Sequence, residues 1–157
     1  MKILKMSVLA ASLAVLSIFF SAGTVLADKS ASMKETVTFF YYKDLDAQLP
    51  FYEDLLGLEK TMDAEWVKIY RVTATSSIGL VLEGRGVHKA IDNPPAMLSI
   101  VTDDVDSWYQ KILDAGVKVT HPLPPEGAEK EEGSAPVRGF IVEDPGGYTI
   151  EFFRWNE

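Results

Sequence analysis

Two stretches of the chain resemble each other at an offset of about sixty residues, and this repeat limits the possible folds more than any other feature. DLDAQLPFYEDLLGLE at 44–59 is similar to DVDSWYQKILDAGVKV at 104–119. Each stretch follows an apolar run, begins Asp-apolar-Asp as a helix N-cap does, and reaches a glycine suited to the left-handed position after a helix, Gly57 or Gly116. Two copies of one structural module are therefore predicted.

The second copy has the pattern of an amphipathic helix, because an apolar stripe recurs at helical spacing. Its members are Val105, Trp108, Tyr109, Ile112 and Leu113. In the first copy Pro50 removes a backbone donor. The first helix is therefore expected to begin late, near Gln48, or to bend there.

Strand-like segments follow each helix and complete the module. They lie at 58–62, 65–73 and 77–83 in the first copy and at 117–120, 137–143 and 148–154 in the second. Each copy then has the order βαβββ, which predicts the α+β fold class, with modules at about 35–84 and 96–154. The two curved sheets are expected to close around a central cavity. The linker 84–95 separates the modules, and the Pro-rich and Gly-rich stretch 121–136 is predicted to be an exposed loop, either a lid or disordered.

The N-terminus has the pattern of a secretory signal peptide. Lys2 and Lys5 precede an apolar run from Met6 to Phe20, and small residues occupy the positions expected before a cleavage site after Ala27. An uncleaved membrane anchor is the alternative. The predicted organisation is a signal peptide at 1–27, a loose arm at 28–34 and a single domain at 35–156. The protein is expected to be exported, either to a periplasm or to the medium.

Charge and composition exclude several classes of function. Cleavage would remove Lys2 and Lys5 and take the formal net charge from −8 to −10. Such an acidic surface disfavours nucleic acids and anionic membranes. The chain has no cysteine, so disulfides, thiol catalysis and thiolate metal sites are excluded. The predicted partner is a small molecule, with no nucleic acid and, after signal cleavage, no membrane.

Two segments resemble a known family, the vicinal oxygen chelate superfamily. KDLDAQLPFYEDLLGLE at 43–59 is similar to its Asp-Leu…Phe-Tyr…Leu-Gly-Leu signature, and VEDPGGYTIEFF at 142–153 is similar to its Asp-Pro-x-Gly…Glu ending. The superfamily includes glyoxalase I, bleomycin resistance proteins and extradiol dioxygenases. The resemblance spans roughly 35–154 and implies a glyoxalase-like fold of two βαβββ modules. It does not identify the reaction, because one fold hosts many chemistries.

The resemblance also implies where a metal ion would bind. Metal-dependent members use one side chain from each of four strands, at positions that here hold Val37, Val81, Met97 and Glu151. Only Glu151 offers a ligand atom suited to such a site, whereas a catalytic zinc or nickel site needs three or more. No metal or other cofactor is therefore predicted. The alternative is one divalent metal held by Glu151, His121 and loop carboxylates.

Glu151 needs a partner, because a lone carboxylate in the apolar run 148–153 is costly to bury. If Asp144 to Gly147 form a four-residue turn, position 140 pairs with position 151 and Arg138 lies diagonally from Glu151. The sequence then predicts that Glu151 is neutralised by Arg138 or opens onto water. The other interpretation is that the two residues form the polar end of a ligand pocket.

Strand parity predicts the rest of the pocket, an apolar and aromatic lining suited to a flat or hydrophobic small molecule. The predicted ligand-binding residues are Phe39, Tyr41, Met97, Ser99, Arg138 and Phe153. The alternative is that these aromatic side chains only fill the space between the sheets.

Three hypotheses of function follow. The first is an exported protein that binds a small, largely apolar molecule without a metal ion. The second is a divergent glyoxalase-like lyase, isomerase or dioxygenase with Glu151 as its catalytic residue, with or without a divalent metal. The third is a structural or interaction protein. The sequence does not decide whether the chain is an enzyme, but relatives that pair modules between chains imply a homodimer.

Overall fold

The structure is a computed structural model that describes residues 32–129 and 132–156. The predicted signal peptide and residues 28–31 of the predicted arm lie outside the described residues, and so do residues 130–131 of the long loop. The predictions of cleavage and export therefore stay predictions. In the part of the chain that is described, no helix is long and apolar enough to cross a membrane.

The described residues form two modules with the predicted βαβββ order. The first contains β1 (Thr36–Tyr42), a 3₁₀ turn (Asp46–Gln48), a π-helical segment (Pro50–Leu55), β2 (Glu59–Ala64), β3 (Val67–Thr73) and β4 (Ser76–Leu82). The second contains β5 (Met97–Val101), α1 (Val105–Asp114), β6 (Val119–His121), β7 (Val137–Glu143) and β8 (Thr149–Trp155).

Each module builds one four-stranded mixed sheet, and the two sheets have equivalent topology. The strand order is β1-β4-β3-β2 in the first sheet and β5-β8-β7-β6 in the second. The first strand of each module runs parallel to its last, and the remaining pairs are antiparallel. The α+β class and the repeat are confirmed.

The helix ends follow the sequence signals in part. Gly57 and Gly116 adopt φ of 67° and 68°, the left-handed conformation predicted for them. Asp44 caps the first helical segment, since its carboxylate accepts hydrogen bonds from the backbone N–H of Asp46 and Ala47. The equivalent cap by Asp104 is not formed, because its backbone lies outside the extended conformation that an N-cap residue usually adopts.

Pro50 decides the form of the first helix, which departs from the second as predicted. The chain makes a short 3₁₀ turn that ends at Gln48, and a π-helical segment begins at Pro50. Proline is tolerated there because the N–H of the first helical residue makes no hydrogen bond within the helix, so its absence costs nothing.

The core lies on the helix-covered face of each sheet. In the second module Phe140, Val142, Ile150 and Phe152 are almost completely buried and alternate with more exposed neighbours along β7 and β8. The aromatic stripe of α1 packs on them, with Trp108 stacked on Phe152 and Tyr109 edge-on to Phe140. The opposite face of the second sheet is left without a helix.

Asp144 joins the two modules. It follows β7 in the second module, yet its carboxylate accepts hydrogen bonds from Tyr42 of β1 at 2.6 Å and from Tyr52 of the π-helical segment at 2.8 Å. The same carboxylate accepts two more, from the backbone N–H of Gly146 and Tyr148. With 4% of its surface exposed, Asp144 is a buried acid whose oxygens are used by both halves of the chain.

Tyr148 makes a second connection between the modules. Its ring stacks on Phe40 of β1 with centroids 3.8 Å apart, and its hydroxyl oxygen accepts a hydrogen bond from the backbone N–H of Tyr41 at 2.8 Å. The two modules are therefore joined by buried aromatic packing and by hydrogen bonds that converge on the β7–β8 turn.

We expect Asp144→Ala to destabilise the protein by on the order of 3 kcal/mol, because two tyrosine hydroxyls and two backbone N–H groups lose their acceptor. Chemical denaturation at pH 7 measures this loss. Asp92→Ala is the matched control, since Asp92 is exposed and its ion pair among the described residues is with exposed Lys43; its cost is expected to stay within about 0.5 kcal/mol. Equal costs for the two variants would contradict the junction role of Asp144.

The same junction predicts a pH dependence. Burial raises the pKa of the Asp144 carboxyl, and the hydrogen bonds from Tyr42 and Tyr52 oppose that shift only in part. A raised pKa in the folded state means that the stability contributed by Asp144 is full below the ordinary pKa of about 3.9 and falls as pH rises through the folded value. The stability gap between wild type and Asp144→Asn should therefore narrow as pH rises, and a gap that widens would refute this.

Candidate functional site

The β7–β8 hairpin sets which side chains share a face, and its predicted register is wrong by one residue. Ile141, not Phe140, pairs with Glu151. The reason is the turn: Asp144 and Tyr148 already bond to each other, which leaves a three-residue loop from Pro145 to Gly147. Gly147 has φ of 88°, as the last residue of such loops requires. A slip of one residue moves every side chain to the other face.

Arg138 consequently does not neutralise Glu151. It lies on the helix-covered face, where both terminal nitrogens of its guanidinium donate to the carboxylate of Asp106, at 2.7 and 2.8 Å. The hydrogen bond from Arg138 holds the pKa of the exposed Asp106 carboxyl below its ordinary value, and the pKa of Arg138 is raised in return. The predicted Arg138–Glu151 pair is replaced by an Arg138–Asp106 pair.

Glu151 instead faces Ser99. The two residues are direct partners on the parallel strands β5 and β8, and the Ser99 hydroxyl donates a hydrogen bond of 2.5 Å to one carboxylate oxygen. Among the described residues no lysine, arginine or histidine forms an ion pair with Glu151. A hydroxyl satisfies one oxygen and leaves the other able to accept a further hydrogen bond.

Apolar side chains surround this pair on the sheet face that has no helix, which is termed the open face. Met97 and Val101 flank Ser99 along β5 and are 49% and 55% exposed, whereas Phe153 is buried beside Val101. Around the pair, the open face is formed by Met97, Ser99, Val101, Ile141, Glu151 and Phe153, and further along the strands the same face carries Glu143, Thr149 and Trp155. It brings together four of the predicted site residues: Met97, Ser99, Glu151 and Phe153.

Phe39 and Tyr41 belong to the first sheet, and the two differ in exposure. The ring of Phe39 lies over Gly79, its partner on β4, at a position where any Cβ would clash, and the side chain is 47% exposed. Tyr41 is covered by the linker, with Gly86 against its ring and His88 edge-on at 5.3 Å. Because Phe39 and Met97 are both about half exposed, closure of the two sheets around a cavity remains a prediction.

The side chains at the candidate metal positions do not suit a divalent metal. In equivalent parallel strand pairs, Phe39 is opposite Gly79 and Ser99 is opposite Glu151, so the counterpart of Glu151 in the first module is Gly79 rather than Val81. Within 32–129 and 132–156, no three His, Asp or Glu side chains come together as a ligand set. Neither glycine nor valine offers a ligand atom from its side chain, so the donor set at these positions reduces to Glu151 alone.

His121, the other proposed metal ligand, is on the sheet but not beside Glu151. It pairs with Ile141 on β7, and Ile141 pairs with Glu151 on β8. Two strand spacings of about 4.8 Å therefore separate the backbones of His121 and Glu151. Ile141 lies between His121 and Glu151 on the sheet, and its apolar side chain offers no ligand atom for a metal ion.

Clefts indent the surface of the described residues. One of about 790 Å³ lies between the loop 124–129 and the ends of β7 and β8, and Arg138 is part of its lining. A second cleft, of about 280 Å³, includes Tyr41 and the linker residues 90–92. The third, of about 240 Å³, lies beside Pro145. Met97, Ser99, Glu151 and Phe153 of the open face line none of these three clefts.

Three of the roles found here were missed from the sequence. The junction role of Asp144 had a signal in the Asp-Pro-Gly-Gly turn, because a buried aspartate followed by such a turn commonly accepts the turn's own N–H groups. The Ser99–Glu151 partnership had a signal in the repeat, which implies that the first and last strands of a module pair in parallel. Nothing in the sequence pointed to Asp106 as the partner of Arg138.

Comparison with known families agrees with this geometry. The family model described as the Glyoxalase/Bleomycin resistance protein/Dioxygenase superfamily matches residues 35–152, which is most of the chain. The resemblance drawn from the two sequence signatures is therefore confirmed. No curated protein matches the sequence.

Solved structures share the fold at low sequence identity. A glyoxalase/bleomycin resistance protein/dioxygenase from Nocardioides has a TM-score of 0.63 at 17% identity, covering 83% of this chain and 88% of its own. One from Alicyclobacillus acidocaldarius gives 0.60 at 19%, covering 78% and 92%. The virulence protein STM3117 from Salmonella typhimurium gives 0.61 at 17%, covering 80% and 98%. At these identities the similarity establishes the fold alone.

Proposed function

Because the chain belongs to the Glyoxalase/Bleomycin resistance protein/Dioxygenase superfamily, we propose that it binds a small, largely apolar molecule on the open face, without a metal ion. The observation that carries the proposal is the Ser99–Glu151 hydrogen bond at the centre of that face. A carboxylate held by a hydroxyl and ringed by apolar side chains is a polar anchor within an apolar surface.

The chemistry of the open face selects the ligand. Met97 and Val101 offer exposed apolar surface on either side of Ser99, and Phe153 adds an aromatic side chain next to Glu151. The second oxygen of Glu151 is suited to accept a hydrogen bond from an O–H or N–H group of the ligand. The proposed ligand therefore has a flat or apolar body and one hydrogen-bond donor.

A second candidate function starts from the same carboxylate. With Arg138 turned to the other face, no guanidinium of the described residues pairs with the carboxylate of Glu151, so its second oxygen can accept a proton from a bound molecule as a general base does. It would be the catalytic residue of a divergent lyase, isomerase or dioxygenase of this superfamily. Such a reaction needs an electrophile to stabilise the developing negative charge, and on the open face Ser99 is the polar neighbour of Glu151.

We also propose that the protein is an exported homodimer. β1 and β5 each form one edge of their sheets, and Phe39 on β1 and Met97 and Val101 on β5 are about half exposed. Unpaired edges with exposed apolar side chains favour association. A second copy would cover this surface and could enclose the ligand between protomers.

The ligand proposal predicts a preference for a hydrogen-bond donor. 2-Naphthol should bind about tenfold more tightly than 2-methoxynaphthalene, since a hydrogen bond to a charged group contributes about 1.5–3 kcal/mol. In Glu151→Gln the two compounds should bind with similar affinity while the fold stays intact. Fluorescence titration gives the two affinities, and thermal unfolding monitors the fold.

Glu143→Gln is the matched control for this titration. It removes one negative charge from the same sheet face at a residue that pairs with Lys118, and it should keep the preference for 2-naphthol. Failure of both naphthalenes to bind the wild type would refute the proposal. A loss of several kcal/mol of stability in Glu151→Gln with unchanged selectivity would assign Glu151 a structural role instead.

The assembly proposal predicts the mass of the exported protein. Intact mass spectrometry should find a chain that begins at Asp28, and light scattering should give twice that mass. Met97→Glu should shift the equilibrium toward monomer, because it places a charge where an apolar contact is proposed. A wild type that remains monomeric at high concentration, or that retains residues 1–27, would contradict the corresponding part of the proposal.

A further inference from the structure

Two arginines stand side by side on the helix-covered face of the second sheet. Arg138 of β7 and Arg154 of β8 are direct cross-strand partners. Like charges in this arrangement repel each other and destabilise a sheet unless anions compensate them. The two positive charges therefore need anions nearby, and any guanidinium N–H that these anions leave without a partner could bind a ligand.

Each of the three guanidinium nitrogens of Arg138 has a partner within the chain. Its two terminal nitrogens bind Asp106, and its Nε donates to the carbonyl oxygen of Pro124 at 3.0 Å. The side chain is 9% exposed. Arg138 is therefore a fixed positive charge in the wall of the cleft of about 790 Å³ rather than a free anchor.

Arg154 is only partly used. Its Nη2 donates to both carboxylate oxygens of Glu126, at 2.7 and 2.6 Å, and these are its hydrogen bonds to the described residues. Guanidinium and carboxylate bind best when two nitrogens meet two oxygens in a planar fork. Glu126 engages one nitrogen of Arg154 and lies 3.5 Å from the Nε of Arg138, which already has an acceptor. A free carboxylate that forked onto two nitrogens of Arg154 would make a better contact with Arg154 than Glu126 does.

The carboxylate of Glu126 is suited to be displaced from Arg154 by a ligand. Its side chain is 70% exposed and belongs to the loop between β6 and β7, where an ion pair contributes little. The cleft beside it has a volume of about 790 Å³, within the range of about 300–1,000 Å³ typical of small-molecule sites. Apolar atoms of Trp155, Val137 and Pro125 line the cleft next to Arg154.

We propose that this cleft binds a small aromatic carboxylate whose carboxylate group forks onto Arg154, and that Glu126 holds the same position when the ligand is absent. The cleft is distinct from the Ser99–Glu151 pair, because Arg154 and Glu151 lie on opposite faces of β8 and neither Ser99 nor Glu151 lines the cleft. Ligand binding in this cleft does not depend on whether the open face binds an apolar molecule.

The test is calorimetric titration of the full chain with benzoate. Glu126→Gln should bind benzoate at least about tenfold more tightly than the wild type, because the intramolecular competitor is weakened. Glu129→Gln is the matched control: it removes the same charge from the lining of the same cleft without touching Arg154. Its affinity should remain close to that of the wild type.

Arg154→Lys in the Glu126→Gln background keeps the positive charge but not the fork, and benzoate affinity should fall by about tenfold. Benzamide, which has the same ring without the charge, should bind none of the variants measurably. If Glu126→Gln and Glu129→Gln increased the affinity for benzoate by the same factor, the increase would come from the change in overall charge, and the proposal would be overturned. Absence of benzoate binding in a folded Glu126→Gln, verified by thermal unfolding, would overturn it as well.

Discussion

The fold depends on one buried carboxylate. Asp144 is supplied by the turn of the second module and is bound by Tyr42 and Tyr52 of the first. An ionisable group with so little exposed surface is tolerated only when its oxygens are hydrogen-bonded, and here four donors converge on it. Because the same residue closes the β7–β8 hairpin, it fixes at once how the modules meet and which residues of β8 face the core.

The hairpin register determines which charged side chains lie on each face of the second sheet. In the observed register the helix-covered face receives Arg138 and Arg154, and the open face receives Glu151. The arginines are then compensated by Asp106 and Glu126, while Glu151 is left with a serine hydroxyl. One sheet therefore presents a carboxylate among apolar side chains on one face and two acid-paired arginines on the other.

The sequence predicted the repeat, the βαβββ order and the glycines after both helices, because these follow from local patterns of apolar residues and backbone conformation. It missed the register, since a three-residue and a four-residue loop both fit Asp-Pro-Gly-Gly and differ by one residue that reverses every side chain. It therefore paired Arg138 with Glu151 and placed Arg138 in the pocket. Contacts between distant elements, such as Arg138 with Asp106 or Asp144 with Tyr52, have no local signal.

The central claim is that Glu151 anchors a ligand without a metal ion, and metal stoichiometry tests it most directly. The chain should be expressed from Met1 and purified without a chelator or a histidine tag. It should then be exposed to Ni²⁺, Zn²⁺, Mn²⁺ and Fe²⁺ before elemental analysis. The account predicts no stoichiometric ion, because the positions equivalent to metal ligands hold Val37, Gly79 and Met97 beside Glu151. About one tightly held ion per chain, lost in Glu151→Gln, would contradict it and favour metal-dependent chemistry at Glu151.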